Sequence, residues 1–161
     1  MLAINTQKDN NNKKQRILIV DDEKDILLTL QLILEQNGFN VSLFDNPLAA
    51  LSNFKIGLYD LAILDIKMPQ MNGFQLYEKI KQIDISTKVC FITAAASEER
   101  YYYEQFTERK EGEEEKEEED VTQISEQYRS QQQQYFCEAT FLKKPISNTD
   151  LIGEVNRILT S

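Results

Sequence analysis

Short apolar runs alternate with amphipathic stretches along most of this sequence, and the alternation predicts strands and helices in turn. Continuous apolar runs are typical of strands that are buried on both faces of a parallel sheet. Apolar residues that recur at every third or fourth position are typical of helices. The predicted strands are Ile17–Val20, Val41–Phe44, Asp60–Asp65, Lys88–Thr93 and Ala139–Leu142.

Helical signals fill the spaces between these strands. The predicted helices cover residues 24–37, a stretch that opens at Asp45-Asn46-Pro47, residues 73–83 and residues 148–159. Asn37-Gly38 is typical of a helix C terminus, and Pro47 is typical of a first helical turn. We expect Asn148 or Thr149 to cap the last helix. With a further helix between the fourth and fifth strands, the alternation predicts a parallel sheet that carries helices on both faces.

Five strands in this pattern predict an α/β fold of the flavodoxin-like type, with strand order 2-1-3-4-5. In that order strands 1 and 3 are neighbours, and their carboxyl ends meet at the crevice where such sheets bind ligands. Asp21 and Asp22 follow the first strand, and Asp65 ends the third. Thr93 ends the fourth strand and Lys144 follows the fifth. The topology therefore predicts that three carboxylates, a hydroxyl and an ammonium lie at one edge of the sheet.

This set of groups is suited to phosphate chemistry. Carboxylates held close together raise each other's pKa, and a hard divalent cation such as Mg²⁺ relieves their repulsion. A metal, the Lys144 ammonium and the Thr93 hydroxyl can neutralise three phosphoryl oxygens. A free carboxylate such as Asp65 can attack phosphorus and form an acyl phosphate. Lys143 competes for the role of Lys144, but alternation along the strand and the following Pro145 favour Lys144.

Each of these residues also has a simpler explanation. Aspartate after a strand commonly starts a turn or caps a helix, which would account for Asp65, Asp21 and Asp22. Thr93 could be an ordinary residue at a strand end, and Lys67 could do no more than sit in solvent. The joint occurrence of these residue types at successive strand ends favours a functional site.

Together these positions resemble the receiver domain of two-component response regulators, in its single-domain, chemotaxis-regulator-like form. The resemblance covers about 16–97 and 135–160 and rests on Asp21-Asp22, Asp65 with Met68-Pro69 and Asn72-Gly73, Thr93-Ala94, and Lys144-Pro145. It implies that Asp65 accepts a phosphoryl group from the phosphohistidine of a sensor histidine kinase or phosphotransfer protein. It also implies a signalling protein that is not an enzyme beyond its own phosphorylation and dephosphorylation.

The resemblance implies a metal site of defined composition. Mg²⁺, or Mn²⁺ in its place, would bind the carboxylates of Asp22 and Asp65 and the backbone carbonyl of Lys67. Asp21 would contribute through a water molecule. The side chain at the position of Lys67 would influence how long the phosphoryl group survives.

The resemblance further implies a switch. Lys144 would pair with the phosphoryl group, and Thr93 would move toward it. Together with the aromatic residue Phe141, Thr93 would couple phosphorylation to a change of the surface that a downstream protein binds.

Two other functions remain as alternatives. A magnesium-dependent phosphatase of the haloacid dehalogenase type also uses an aspartate at a strand end, but it expects a second aspartate two positions later, where this sequence has Lys67. A degenerate receiver would keep the fold as a scaffold and would never be phosphorylated. The intact acids and Lys144 argue against that scaffold.

The stretch between Thr93 and Lys144 is longer than one helix and two loops require, by roughly thirty residues. We place an insertion at about 99–134, where the family has its fourth helix. Residues 98–134 hold 13 acidic and 5 basic residues, so this segment carries nearly all of the net charge of −9. Two interpretations stay open: helices over 97–111 and 119–135 that form an arm for a partner or for self-association, and a solvated, partly disordered acidic loop.

The rest of the composition narrows the class of protein. The sequence has no histidine, which excludes histidine-based catalysis, and its two cysteines lack metal or redox spacing, which fits a reducing cytoplasm. No apolar stretch is long enough for a membrane span, and no basic face suggests nucleic-acid binding. Residues 1–15 are predicted to be a disordered tail without a signal peptide, and 16–161 the receiver domain. No output domain follows residue 161, so we expect the protein to act by docking or to relay phosphoryl groups, unless this chain is a fragment of a longer protein.

Overall fold

Strands and helices alternate in the computed structural model, which describes residues 13–95 and 140–161. The strands are β1 (Arg16–Val20), β2 (Asn40–Phe44), β3 (Leu61–Asp65), β4 (Lys88–Thr93) and β5 (Thr140–Lys143). The helices are α1 (Lys24–Gln36), α2 (Pro47–Asn53), α3 (Gly73–Ile83) and the C-terminal helix (Asn148–Thr160).

All five strands form one parallel sheet in the order β2-β1-β3-β4-β5. This order confirms the prediction of a flavodoxin-like α/β fold. A parallel sheet of this kind requires a crossover between successive strands, and helices supply the first three crossovers. The connection between β4 and β5 contains the predicted insertion and its possible helices, and it lies outside the described residues, as do residues 1–12.

Most element boundaries lie within one or two residues of the predicted ones. The strand β5 ends one residue later than predicted, at Lys143, and the predicted first residue, Ala139, lies outside the described residues. The predicted cap of the C-terminal helix is wrong: the cap is Ser147, whose hydroxyl accepts a hydrogen bond of 3.0 Å from the Asp150 amide. Ser147 has the extended backbone that an N-cap needs, and the residues after it are already helical.

Local side-chain chemistry sets the starts of α2 and α3. The Asn46 side chain accepts hydrogen bonds from the Leu48 and Ala49 amides, and Pro47 follows at the first helical position. Asn72 and Gln75 form a reciprocal capping box at the start of α3. The turn that begins with Met68-Pro69 therefore ends at a fixed point, and it holds the end of β3 close to α3.

The sheet separates two apolar cores, and alternate residues of each central strand point into opposite ones. Leu18, Val20, Ala62, Leu64 and Phe91 pack beneath α2 and α3. Ile17, Ile19, Leu61, Ile63, Cys90 and Ile92 pack beneath α1 and the C-terminal helix. Because both faces are covered, the central strands are apolar at successive positions, which explains the unbroken runs in the sequence. None of the helices in the described residues is both long and apolar enough to cross a bilayer.

Gly73 allows α3 to approach the end of β3 more closely than any other residue would. A Cβ atom on Gly73 would lie 2.3 Å from the carbonyl oxygen of Asp65 and 3.1 Å from the Cα of Ile66. The Gly73 amide also donates a hydrogen bond of 2.9 Å to the Ile66 carbonyl. The backbone position of Asp65 thus depends on the absence of a side chain at Gly73.

Replacing Gly73 with alanine should destabilise the protein, although alanine is the better helix former. The added methyl group meets backbone rather than a movable side chain, so β3 and α3 must separate. We expect the free energy of unfolding to fall by about 1–3 kcal/mol, as measured by urea denaturation followed by circular dichroism.

Gly153 provides the matched control. It lies within the C-terminal helix, and a Cβ atom there would have no atom within 4 Å. Gly153→Ala should therefore stabilise the protein by about 0.5–1 kcal/mol. Equal effects of the two substitutions would contradict the close approach at Gly73.

Candidate functional site

The register of the sheet brings the predicted site residues to one edge. Val20 pairs with Leu64, so Asp21 follows β1 beside Asp65 at the end of β3. Asp65 in turn pairs with Ile92, the residue before Thr93. Thr93 pairs with Lys143, and Lys144 comes next. The predicted convergence of carboxylates, hydroxyl and ammonium at the carboxyl ends of the strands is therefore present in the backbone pairing.

Three carboxylates form a cluster at this edge. One oxygen each from Asp21, Asp22 and Asp65 lies within 4.8 Å of the others. Asp21 is fully buried and Asp65 is 5% exposed, whereas Asp22 faces solvent. Buried carboxylates are costly unless a cation or hydrogen bonds compensate them, so the cluster requires a positive charge.

The ammonium of Lys144 supplies that charge. Its Nζ lies 3.0 Å from Asp21 Oδ2, 3.0 Å from Asp65 Oδ1 and 2.8 Å from Glu23 Oε1. The Lys144 amide donates a hydrogen bond of 2.8 Å to the Thr93 carbonyl, which fixes the start of the side chain next to β4. Lys143, its competitor in the sequence, is exposed. The structure thus places Lys144, and not Lys143, against the acids.

The acids are nevertheless under-compensated. Burial raises the pKa of Asp65 from 3.8 to about 6, the charges of Asp21 and Asp22 add to the rise, and Lys144 opposes it. Burial likewise raises the pKa of Asp21, against the hydrogen bond that its carboxylate accepts from the Glu23 amide and the contact with Lys144. One ammonium among these acids leaves a deficit of positive charge, which a bound cation would fill.

The same contacts act on Lys144 in the opposite direction. Burial alone would lower the pKa of its ammonium, but its contacts with Glu23, Asp21 and Asp65 outweigh burial and raise the pKa. Lys144 therefore carries its charge at neutral pH, and it offers a cation to an anion that arrives at Asp65.

Thr93 and Phe141 lie on neighbouring strands, Thr93 at the end of β4 and Phe141 near the start of β5. The Thr93 hydroxyl is almost fully buried and donates a hydrogen bond of 2.7 Å to the Ala95 carbonyl, while the Ala95 amide donates one of 3.2 Å back to it. The ring of Phe141 is half-buried and stacks on Phe91 at 5.5 Å between centroids. A displaced Thr93 hydroxyl would break its two hydrogen bonds with Ala95, and the switch role of Thr93 and Phe141 stays a prediction.

Lys67 lies in the turn that leads from β3 to α3. Its side chain is exposed, and the turn is held by a Met71 amide that donates to the Pro69 carbonyl at 2.8 Å. Gln70 in this turn has a φ angle of 72°, in the left-handed region that few residues other than glycine adopt. The metal-binding role of the Lys67 carbonyl stays a prediction.

Glu23 is the residue that the sequence analysis missed. Its carboxylate makes the shortest of the three contacts with Lys144, and its amide donates a hydrogen bond of 2.8 Å to Asp21 Oδ1. The available signal was the third acid in the run Asp21-Asp22-Glu23. Nothing in the sequence indicated that its side chain would turn away from α1 toward a lysine 121 positions later.

The cluster fits a hard divalent cation. Among the described residues, Asp21 Oδ2 is a buried oxygen that accepts no hydrogen bond, although Lys144 Nζ lies 3.0 Å away. The donors are carboxylate oxygens, which Mg²⁺ and Ca²⁺ prefer to nitrogen or sulfur. The exposure of Asp22 leaves one side of the cluster open to solvent, as an ion that keeps several water ligands needs.

This fold and site match a known family. The family model described as the response regulator receiver domain matches residues 17–109, more than half of the chain. The chain therefore belongs to the family of response regulator receiver domains, which are signalling modules of two-component systems. The family model ends before β5 and the C-terminal helix, which the structure adds to the same sheet and the same core.

Relatives of known sequence are regulators that are longer than the matched stretch. The chain is 34% identical over 75 residues to the transcriptional regulatory protein DltR of Streptococcus agalactiae, covering 47% of this chain and 34% of DltR. It is 35% identical over 73 residues to the response regulator receiver protein CpdR of Brucella abortus, covering 45% of this chain and 61% of CpdR. The chain thus spans about a third of the transcriptional regulators it matches.

Solved receiver structures share the fold over nearly the whole chain. A CheY-like receiver domain protein from Methanospirillum hungatei superimposes with a TM-score of 0.64 at 26% identity, covering 91% of this chain and 94% of that one. The receiver domain of HemR from Leptospira biflexa gives a TM-score of 0.63 at 24% identity, covering 92% and 96%. These likenesses agree with the strand order and support the receiver fold.

Replacing Asp65 with asparagine should stabilise the metal-free protein at neutral pH. The native pKa of Asp65, about 6, lies above its ordinary value of 3.8, so the folded state binds the proton more tightly than the unfolded state does. Ionised Asp65 therefore lowers the free energy of unfolding. This loss is absent below the ordinary pKa, grows as the pH rises and is complete above about pH 6. We expect Asp65→Asn to raise the free energy of unfolding by about 1–3 kcal/mol at pH 7.5 in EDTA, and by less at pH 5.

Asp60→Asn is the control with the opposite sign. Burial of Asp60 is outweighed by hydrogen bonds from Arg16, which hold the pKa of Asp60 below its ordinary value. The ionised Asp60 carboxylate stabilises the fold above its ordinary pKa, and this stabilisation is lost as the pH falls. Urea denaturation of both variants at both pH values tests the prediction, and a loss of stability in Asp65→Asn at pH 7.5 would refute it.

Proposed function

We propose that this receiver domain is a phosphoacceptor switch in which Asp65 is the phosphorylated residue. The phosphoryl group would come from the phosphohistidine of a sensor histidine kinase or of a phosphotransfer protein. A magnesium ion would be required, and phosphorylation would alter the surface that a downstream protein binds. Contacts through segment 99–134, which lies outside the described residues, remain a prediction.

The observation that carries this proposal is the position of Lys144. Its ammonium lies 3.0 Å from an oxygen of Asp65 while it also contacts Asp21 and Glu23. An anion bonded to Asp65 would therefore be formed next to a cation that is already in place and already desolvated. Preorganised charge of this kind is the main means by which proteins stabilise phosphoryl transfer.

The reaction follows from the groups present. A carboxylate oxygen of Asp65 attacks phosphorus, a new P–O bond forms, and the P–N bond of the phosphohistidine breaks with its electron pair left on the imidazole nitrogen. The product is an acyl phosphate on Asp65 and a histidine that can take up a proton from water. Lys144 pairs with the phosphoryl oxygens as the negative charge moves onto Asp65.

The metal ligands would be Asp22 and Asp65 with the backbone carbonyl of Lys67, and Asp21 would act through water. When it is bound, the ion supplies positive charge that offsets the phosphoryl oxygens and the repulsion within the acidic cluster. The convergence of the three carboxylates and the exposure of Asp22 support this assignment.

Asp65→Asn should abolish labelling by a small phosphodonor. Incubation of the unmodified chain with acetyl phosphate and Mg²⁺ should add the mass of one phosphoryl group, because the donor needs only the acceptor, the cation and Lys144. Intact-protein mass spectrometry with and without EDTA measures both the gain and its metal dependence.

Asp60→Asn serves as the matched substitution, since Asp60 precedes the same strand at its opposite end and contacts Arg16. It should be labelled like the unmodified chain. Labelling of Asp65→Asn to the same extent as the unmodified chain would show that the acceptor is another residue. An absence of labelling and of beryllofluoride binding in the unmodified chain would favour a degenerate scaffold.

Thr93→Ala should uncouple phosphorylation from the surface change. The variant keeps Asp65, Lys144 and the acidic cluster, so it should still accept the phosphoryl group from acetyl phosphate. It lacks the hydroxyl that bonds to Ala95 and that would move toward the phosphoryl group. We expect amide hydrogen exchange of residues 140–146 to change on phosphorylation in the unmodified chain and to stay unchanged in the variant.

Thr93→Ser is the control, because it retains the hydroxyl and should retain much of the response. An exchange response in Thr93→Ala equal to that of the unmodified chain would refute the role of Thr93 and leave the phosphorylation chemistry of Asp65 intact.

A further inference from the structure

Glu23 occupies an unusual position between the start of a helix and the functional site. It is the N-cap residue of α1, yet its side chain makes no capping hydrogen bond. Instead, Glu23 Oε1 accepts a hydrogen bond of 2.8 Å from Lys144 Nζ. Ser, Thr, Asp and Asn are the residues that commonly cap a helix with their side chains, and Glu is not among them. The Glu23 carboxylate is therefore not committed to the amides of the first turn and contacts Lys144 instead.

The backbone of Glu23 is held on both sides. Its amide donates to Asp21 Oδ1 at 2.8 Å, and its carbonyl accepts from the Leu27 amide at 3.1 Å. Lys144 is held in turn by its amide bond to the Thr93 carbonyl. The contact between Glu23 and Lys144 therefore joins two anchored segments, and it closes a ring that runs through Asp21.

We infer that Glu23 is a positioning residue that holds the Lys144 ammonium and competes for it with the phosphoryl group on Asp65. This inference rests on the proposed phosphorylation of Asp65. In the unphosphorylated protein, Glu23 shares the ammonium with Asp21 and Asp65 and keeps it from moving fully onto an arriving anion. As a result, the phosphorylated state is less stable than it would be if Glu23 did not contact Lys144.

The charges around Lys144 explain the direction of this effect. A phosphoryl group brings additional negative charge to Asp65, and Glu23 is an acid that contacts the same ammonium. The side chain of Glu23 is 62% exposed, so solvent screens its charge and it can also turn outward. The competition is accordingly moderate, which suits a residue that tunes a site rather than one that is required for its chemistry.

The test compares an anion and a cation at the same site. Beryllofluoride serves as the probe for the phosphoryl group, in the presence of Mg²⁺, and Mg²⁺ alone serves as the probe for the metal site. Both affinities are measured by amide shifts in ¹H–¹⁵N spectra of the full chain. In Glu23→Gln we expect beryllofluoride to bind about two- to fivefold more tightly, while Mg²⁺ binds as in the unmodified chain or more weakly.

Tighter beryllofluoride binding without tighter Mg²⁺ binding excludes a merely structural explanation, because a damaged site would bind both probes more weakly. Asp25→Asn is the matched control: it removes the same charge from an exposed acid in the first turn of α1. It should leave beryllofluoride affinity within about 1.5-fold of the original, the size expected for an exposed charge away from the contact.

Three results would overturn the inference. The first is a beryllofluoride affinity in Glu23→Gln equal to that of the unmodified chain. The second is weaker binding of both probes, and the third is an Asp25→Asn variant that reproduces the full effect. If the unmodified chain neither binds beryllofluoride nor gains a phosphoryl group from acetyl phosphate, the proposed function itself fails, and the inference fails with it. Labelling of the unmodified chain with no effect of Glu23→Gln refutes the role of Glu23 alone.

Discussion

The contact between the Lys144 ammonium and the buried acids is the interaction on which the site depends. Asp21 and Asp65 are almost completely removed from water, and carboxylates in that position are costly without a partner. Lys144 approaches both at 3.0 Å. It compensates them only in part, since the pKa of Asp65 stays above its ordinary value.

The parallel sheet makes this concentration of charge possible. All five strands run in one direction, so their carboxyl ends share an edge, and residues that follow different strands become neighbours. The apolar cores on both faces hold the strands rigidly enough to keep the acids together despite their repulsion. Gly73 adds a second constraint, because the carbonyl of Asp65 lies where a side chain on α3 would otherwise be.

Thr93 and Phe141, the two residues predicted to act as a switch, lie on β4 and β5, which follow β3 in the sheet. Thr93 is buried between the cluster and the segment that follows β4, and Phe141 stacks on Phe91 in the core beneath α3. Thr93 follows Ile92, the residue of β4 that pairs with Asp65, and the coupling of Thr93 and Phe141 to Asp65 is part of the proposed function. Membership of the receiver family agrees with this arrangement, and the long transcriptional regulators among the relatives show how such a domain can form one part of a larger protein.

The helices and strands, their order and the candidate acids could all be predicted from patterns along the chain. Unbroken apolar runs, Asn46-Pro47 and Asn72-Gly73 are local signals, and local hydrogen bonds and burial act on them directly. The convergence of Asp21, Asp22 and Asp65 also followed from the sequence, because the topology of an alternating chain restricts where strand ends can meet.

The contacts that these residues make depend on how the segments pack, and they became visible in the tertiary structure. The turn of Glu23 toward Lys144 depends on the distance between segments 121 positions apart, and the closeness of Gly73 to the Asp65 carbonyl depends on how α3 packs against β3. The cap at Ser147 was missed because neighbouring polar residues compete for one set of amides, and the exact backbone path selects among them. Side-chain direction and the balance of buried charge arise from packing between several segments, and a pattern within one segment does not contain that information.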